Sequence, residues 1–288
     1  ADNVNGLTYK GFGLLTANST SDLLLDYKAE HPEKYIEMMQ YLFGGERPIM
    51  THVKIEMGND RNNSTGAEAC TMRTEDEEAN VRRKVGVQLA ADAKKINPNV
   101  KVSILRWNKP AWAKTNKQTY EWYKKTILAA YETYGYMVDY VNPNVNERWD
   151  KNNDVNNTKE FAGYVKAENS STISDPTALA LYQKMKYIVT DEAEQFAEDA
   201  VNALKTDQEF AKIVSVAGYH YPNTAANKSD LISIAEDMDK EVWCSEGQAT
   251  FSDSVYRPAT GTGIGGTCSA LEMGNFIIKS FQETRRTH

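Results

Sequence analysis

Short apolar runs of strand length alternate along this chain with longer segments of helical period, and no other feature constrains the fold as tightly. The strand-like runs are Leu7 to Leu15, His52 to Met57, Val100 to Trp107, Tyr136 to Val141, Lys186 to Thr190, Ile213 to Tyr219 and Glu241 to Ser245. Between them lie segments expected to be helical: Pro32 to Phe43, Glu78 to Lys95, Tyr120 to Tyr134, Thr177 to Lys184, Ala193 to Leu204, Ser229 to Met238 and, last, Leu271 to Phe281. Strand and helix in strict alternation give a parallel sheet wrapped by helices. With 288 residues, the chain fits the usual size of an eight-fold barrel. The expectation is therefore an α/β fold, a (β/α)8 TIM barrel truncated before strand eight, as a single domain over residues 1–288. An eighth strand would begin near Arg285, where the sequence stops, and without it the first and seventh strands would keep unpaired edges.

Bulk properties exclude several classes of partner. The net charge of -7 leaves no basic stripe that could displace counterions from nucleic acid, so no nucleic-acid partner is expected. No run approaches the apolar length of a spanning helix, so no transmembrane segment is expected either. The polar start, Ala1-Asp2-Asn3-Val4-Asn5, carries no signal sequence but is what a removed one would leave, and a secreted or extracytoplasmic setting is expected. Cys70, Cys244 and Cys268 lack the paired spacing of a zinc or redox site. Cys244 falls inside an apolar run and reads as a buried thiol. Cys70 and Cys268 fall in loop-like segments, and nothing in the sequence supports or excludes a bridge between them. Neither a metal nor another cofactor is expected.

Two of the strand-like regions end in a glutamate in unusual company: Asn146-Glu147 after one, and Trp243-Cys244-Ser245-Glu246 closing another. A carboxylate at the end of an apolar run is costly unless it is used or paired. In a parallel barrel the C-terminal strand ends meet at one rim, which is where catalytic groups gather, so the two carboxyls would face each other across a pocket. Paired in that way they can cleave a glycosidic bond. One stays protonated as general acid, and the other, ionised, attacks the anomeric carbon.

Other residues at the expected rim suit a sugar. Trp107 and Trp112 follow the third strand, and the sixth strand leads into Gly218-Tyr219-His220-Tyr221-Pro222. Aromatic rings can stack on the apolar face of a pyranose, while Asn, His and Tyr bind its hydroxyls. The same residues also fit a structural reading, Trp107 and Trp112 as core anchors and His220 as a hydrogen-bonded buried imidazole. The Asn-rich tract Asp150 to Asn157 reads as a surface loop. Gly261-Thr262-Gly263-Ile264-Gly265-Gly266 lacks the Lys of a phosphate-binding loop and reads as a rim loop. No Gly-x-Ser-x-Gly elbow occurs, which sets aside a serine hydrolase.

Taken in order, Lys54-Ile55-Glu56-Met57-Gly58, Ile96-Asn97-Pro98-Asn99, Trp107, Pro110-Ala111-Trp112, Asn146-Glu147-Arg148, Gly218-Tyr219-His220-Tyr221-Pro222 and Trp243-Cys244-Ser245-Glu246 resemble glycoside hydrolase family 59, the galactocerebrosidase family, from about Tyr9 onward. The Asn-Glu pair is shared with the wider clan of barrel glycosidases whose catalytic Glu residues sit on strands four and seven. The resemblance implies a retaining exo-glycosidase acting on β-galactosides of a carbohydrate or glycoconjugate. It further implies Glu147 as acid/base, Glu246 as nucleophile, Asn146 as a ligand of the sugar 2-hydroxyl and Trp107 as a wall of the galactose site; His220 and Tyr221 are expected to bind substrate from their place at the rim. Departures from the family are the first loop, here Leu14-Leu15-Thr16-Ala17-Asn18-Ser19, and Ala67 where the family carries a galactose-contacting Thr. The β-sandwich and lectin-like domains of the animal enzymes have no counterpart in this sequence. The alternatives are another clan activity, β-glucosidase or β-xylosidase, and a carbohydrate-binding barrel without turnover.

Overall fold

A computed structural model describes residues 8–17, 19, 21–61, 66–193, 196–220, 228–247, 274, 277–278 and 281–288. Seven strands, β1 (Phe12–Thr16), β2 (Met50–Glu56), β3 (Lys101–Arg106), β4 (Tyr140–Val145), β5 (Lys186–Ala193), β6 (Val214–His220) and β7 (Glu241–Glu246), follow one another in chain order in one sheet. The pairings β1 to β2, β2 to β3, β3 to β4, β4 to β5 and β6 to β7 are all parallel. At least one helix lies between each strand and the next, which is the order of a (β/α)8 barrel lacking its final strand. Among the described residues no helix is long and apolar enough to cross a membrane.

The chain divides into two compact units. One comprises Gly11–Asn146 and Asn152–Ile188, the other Ala1–Lys10, Glu147–Lys151 and Val189–His288. In the first, helix α2 (Pro32–Phe43) starts with Pro at its first turn and buries Tyr35, Met39 and Phe43, a spacing of about one turn that forms a single apolar stripe. Helix α3 (Val85–Ile96) begins against β1. A Cβ on Gly86 would lie 2.0 Å from Thr16 Oγ1, so only glycine permits that approach. Helix α4 (Asn116–Tyr134) opens with a reciprocal Thr115–Gln118 capping box and ends at Gly135 with φ 77, the left-handed geometry that closes helices. The helix α1 (Asp22–Glu30) buries no residue, and its weak apolar stripe left no helical period to read.

Two expectations fail in this unit for physical reasons. The Asn-rich tract expected to be a surface loop lies almost wholly in helix α5 (Lys151–Ala167). Its asparagines are poor helix formers, but Asp154, Thr158, Phe161 and Val165 recur at helical spacing and are buried together. Asn157 also donates to the Pro143 carbonyl (3.0 Å) and to Asn144 Oδ1 (2.7 Å), so packing overrides propensity. Strand β4 starts at Tyr140 rather than Tyr136. Tyr136, Met137 and Val138 are buried, and Tyr136 donates its hydroxyl to the Val87 carbonyl (2.9 Å); the apolar run packs before the ladder begins.

Strand β4 itself is unusual, since Pro143 removes a ladder donor and its register with β3 shifts between Ile104 and Arg106. Side chains repair the gap. Arg106 donates to the Pro143 carbonyl (3.2 Å), Asn142 Oδ1 accepts from the Asn144 backbone (2.9 Å), and Asn144 donates to Thr158 Oγ1 (2.9 Å).

The second unit holds the end of β5, then α7 (Ala197–Thr206), α8 (Gln208–Ile213), β6, α9 (Lys228–Glu236) and β7. Its last residues lie alongside β7 through an isolated bridge and a few backbone bonds, short of an eighth strand. Arg286 bridges Val242 in parallel register, Thr287 donates to the Val242 carbonyl (2.9 Å), and Cys244 donates to the His288 carbonyl (2.9 Å). On the other side, Lys10 donates to the Thr287 carbonyl (2.8 Å). Arg286 and Thr287 are fully buried, so β7 is not a bare edge along this stretch. The glycine-rich tract 261–266 and most of the expected last helix lie outside the described residues. Cys70 is a buried free thiol whose Sγ donates to the Met72 carbonyl (2.9 Å), and burial pushes it up to about 11. Cys268 lies outside the described residues. Cys244 is half-buried rather than fully buried.

Candidate active site

The second unit gathers four titratable side chains that lie on, or within two residues of, the ends of four successive strands. Glu147 follows β4, Asp191 lies on β5, His220 ends β6 and Glu246 ends β7. Local backbone places each of them. Glu147 sits in the left-handed region at φ 61, and its N–H donates to the Asp191 carbonyl (3.0 Å). Thr190 and Asp191 are left-handed as well, at φ 63 and 54. Thr190 is anchored by its hydroxyl, which donates to the Gly218 carbonyl (2.7 Å). Non-glycine residues in that region cost about 1–3 kcal/mol each and persist where the surroundings fix them.

His220, with 1% exposure, is the hub. Its Nε2 lies 2.8 Å from Asp191 Oδ1. On the other side of the ring, Nδ1 lies 3.5 Å from Glu147 Oε1 and 3.8 Å from Glu246 Oε2. One ligand-type atom each of Glu147, His220 and Glu246 lie within 4.8 Å of one another. The two glutamates differ in setting: the Glu147 side chain is 41% exposed and that of Glu246 only 9%. Gly218 makes room for the cluster. A Cβ there would stand 2.7 Å from Ser245 Oγ and 3.3 Å from Asp191 Oδ1.

Of the residues singled out from the sequence, Glu147, His220 and Glu246 are thus brought together. His220 spends its ring nitrogens facing carboxyl groups. Asn146 and Trp107 belong to the first unit. Asn146 is fully buried, with its N–H donating to the Arg106 carbonyl (2.8 Å), and Trp107 is half-buried one residue past β3. Trp112 is half-buried and donates its indole N–H to the Met72 carbonyl (3.0 Å), which is an anchoring contact. Tyr221 lies outside the described residues. Sequence reasoning missed Asp191. The signal was there, since an acidic residue closes the apolar run Tyr187-Ile188-Val189-Thr190, as it does for the two glutamates.

Comparison with known proteins bears on this geometry. The sequence profile of glycosyl hydrolase family 59 matches residues 9–288. The chain is similar to galactocerebrosidase of Salmo salar, 28% identical over 261 residues that make up 87% of this chain and 35% of that protein. It is also similar to galactocerebrosidase of Mus musculus, 28% identical over 262 residues, 87% of this chain and 34% of that protein. It therefore spans only 34–35% of the length of these relatives. In fold it is similar to SrfJ from Salmonella typhimurium, with a TM-score of 0.64 at 15% identity over 86% of this chain and 58% of that one. Since the profile covers nearly every residue from Tyr9 on, the chain belongs to glycosyl hydrolase family 59.

Proposed function

We propose that this protein is a retaining exo-glycosidase that hydrolyses β-galactosides of a carbohydrate or glycoconjugate by double displacement, and that residues 1–288 act as one catalytic domain. The observation that carries the reading is the approach of Glu147 and Glu246, with oxygens within 4.8 Å of each other in one unit. Inverting pairs stand about 6.5–9.5 Å apart to admit a water between them, and retaining pairs only about 5–5.5 Å. In the proposed cycle the Glu246 carboxylate attacks the anomeric carbon while Glu147 gives its proton to the departing oxygen. A water then enters, Glu147 takes its proton, and the glycosyl–enzyme bond to Glu246 breaks with net retention.

The lower exposure of Glu246 suits a nucleophile shielded from bulk water, and the more open Glu147 suits a group that must exchange protons with leaving group and water. Asn146 would bind the sugar 2-hydroxyl and Trp107 would stack on the ring, roles that the family's residue pattern supports; Tyr221, next to His220 in sequence, would bind a hydroxyl. The names of the similar proteins support galactose and a glycolipid-type substrate. No cofactor enters this cycle, because acid, base and nucleophile are all side chains. The proposed setting is extracytoplasmic, where glycoconjugates are displayed, and fractionation of the producing cells tests it.

The test is a mechanism-based 2-deoxy-2-fluoro-galactoside together with a chromogenic β-galactoside. Turnover of the latter, and labelling of Glu246 alone by the former, are expected, with Glu246→Gln losing both. Labelling at another carboxylate, or full activity in Glu246→Gln, refutes the assignment. Saturable binding without turnover would make this a carbohydrate-binding barrel instead.

A further inference from the structure

We infer that Asp191 is a positioning residue that acts through His220 to hold a proton beside the Glu147–Glu246 pair. The inference deepens the hydrolase reading above and rests on it for the roles of the two glutamates.

The Asp191 carboxyl is fully buried, with 0% exposure. A charge so placed is costly unless it is paired and hydrogen-bonded. His220 Nε2 lies 2.8 Å from its Oδ1. A carboxylate only accepts, so Nε2 must carry the hydrogen, and the orientation of the ring is fixed with Nδ1 turned toward Glu147 and Glu246. Asp191 reaches the same pair a second time through its backbone, whose carbonyl accepts the Glu147 N–H. The left-handed backbone at Thr190 and Asp191 aims the carboxylate at the ring, and the missing side chain at Gly218 leaves it space.

The charges around the imidazole decide what this does. From after β4 comes Glu147, from β5 Asp191, and from β7 Glu246. The remaining titratable side chain of β7 near it, the Cys244 thiol, is directed at the Glu246 carbonyl (3.7 Å). Three carboxyl groups about one imidazole favour retention of a proton on the ring or on the carboxyl it faces, because each negative charge nearby stabilises the protonated form. The site must keep one proton, for Glu147 to deliver, while Glu246 stays ionised. Asp191 supplies a negative charge that retains that proton without touching the substrate. Because the groups titrate as a cluster, the measurable quantity is the pH at which the cluster loses the proton.

The test is Asp191→Asn, which keeps the shape and the acceptor for Nε2–H but removes the charge. In the intact chain, nitrogen-detected NMR of the His220 imidazole is expected to show titration above the ordinary value of about 6.5. In Asp191→Asn that midpoint should fall by about one unit or more. The alkaline limb of kcat/KM should move to lower pH by a similar amount, and Asp191→Glu should move it back. A His220 midpoint at or below the ordinary value in the unaltered protein overturns the proposal, whether or not the variants fold. An unshifted midpoint in a folded Asp191→Asn also overturns it, as does a kcat/KM profile lowered evenly at every pH, which is what a purely structural loss would give. If no β-galactoside is turned over by the unaltered protein, the hydrolase reading fails, and the NMR titration still decides the role of Asp191.

Discussion

Removing residues 286–288 tests how the end of the chain supports the site. Three backbone hydrogen bonds would go: Thr287 to Val242, Cys244 to His288 and Lys10 to Thr287. At about 1 kcal/mol net apiece they amount to about 3 kcal/mol. The tilted contact of His288 against Trp243, with ring centroids 4.8 Å apart, adds about 0.5–1 kcal/mol. For Arg286, the burial of its aliphatic stem and the desolvation of its guanidinium act in opposite directions. The expected loss is thus about 3–4 kcal/mol, which for a chain of this size lowers the midpoint of thermal unfolding by roughly 10 °C. Calorimetry and circular dichroism of the full chain and the shortened one measure it. Activity should suffer beyond the stability loss, because Cys244, which donates to His288, lies only two residues before Glu246 on β7. A shift below about 2 °C, with kcat unchanged at 25 °C, would refute the view that these residues support β7 and the site at its end.

Glu147→Ala should lose far more activity on an alkyl galactoside than on an activated aryl one, with partial recovery in azide; equal losses on both would remove it as the acid. Gly218→Ala forces a Cβ to within 3.0 Å of Ser245 Cβ and 2.7 Å of its Oγ, so β7 must shift; a stability cost of about 1–3 kcal/mol and a larger fall in kcat are expected by denaturant titration and steady-state kinetics. His288 carries a pH signature of its own. Burial, partly offset by Glu241, lowers it from the ordinary 6.5 to about 4, so the unfolded chain binds more protons between those values. Its contribution is therefore complete above about pH 6.5 and is lost as pH falls toward 4, by as much as about 3 kcal/mol. His288→Gln should flatten the stability curve across that window, and an unchanged slope would show the ring to be solvated.

The order of strands and helices was legible in the sequence because it rests on local periodicity. An apolar run of strand length followed by a segment such as Pro32–Phe43, whose apolar positions fall on one face, needs no distant contact to be recognised. The two glutamates were legible for a related reason, since charge at the end of an apolar run is costly unless used. What escaped was decided by partners far along the chain. Helix α5 forms through asparagines because Phe161 and Val165 find a core and Asn157 finds Pro143 and Asn144. The last residues lie against β7 because Val242, Cys244 and Lys10 supply the backbone bonds that a three-residue run cannot make for itself. His220 was visible as a rim residue, but its placement between Asp191 and the two glutamates depends on three neighbouring strand ends arriving at one height. Sequence period sets which face a side chain takes. Only the tertiary register, closed by backbone bonds such as Glu147 to Asp191 and by the space left at Gly218, sets which charges share that face, and with them the chemistry.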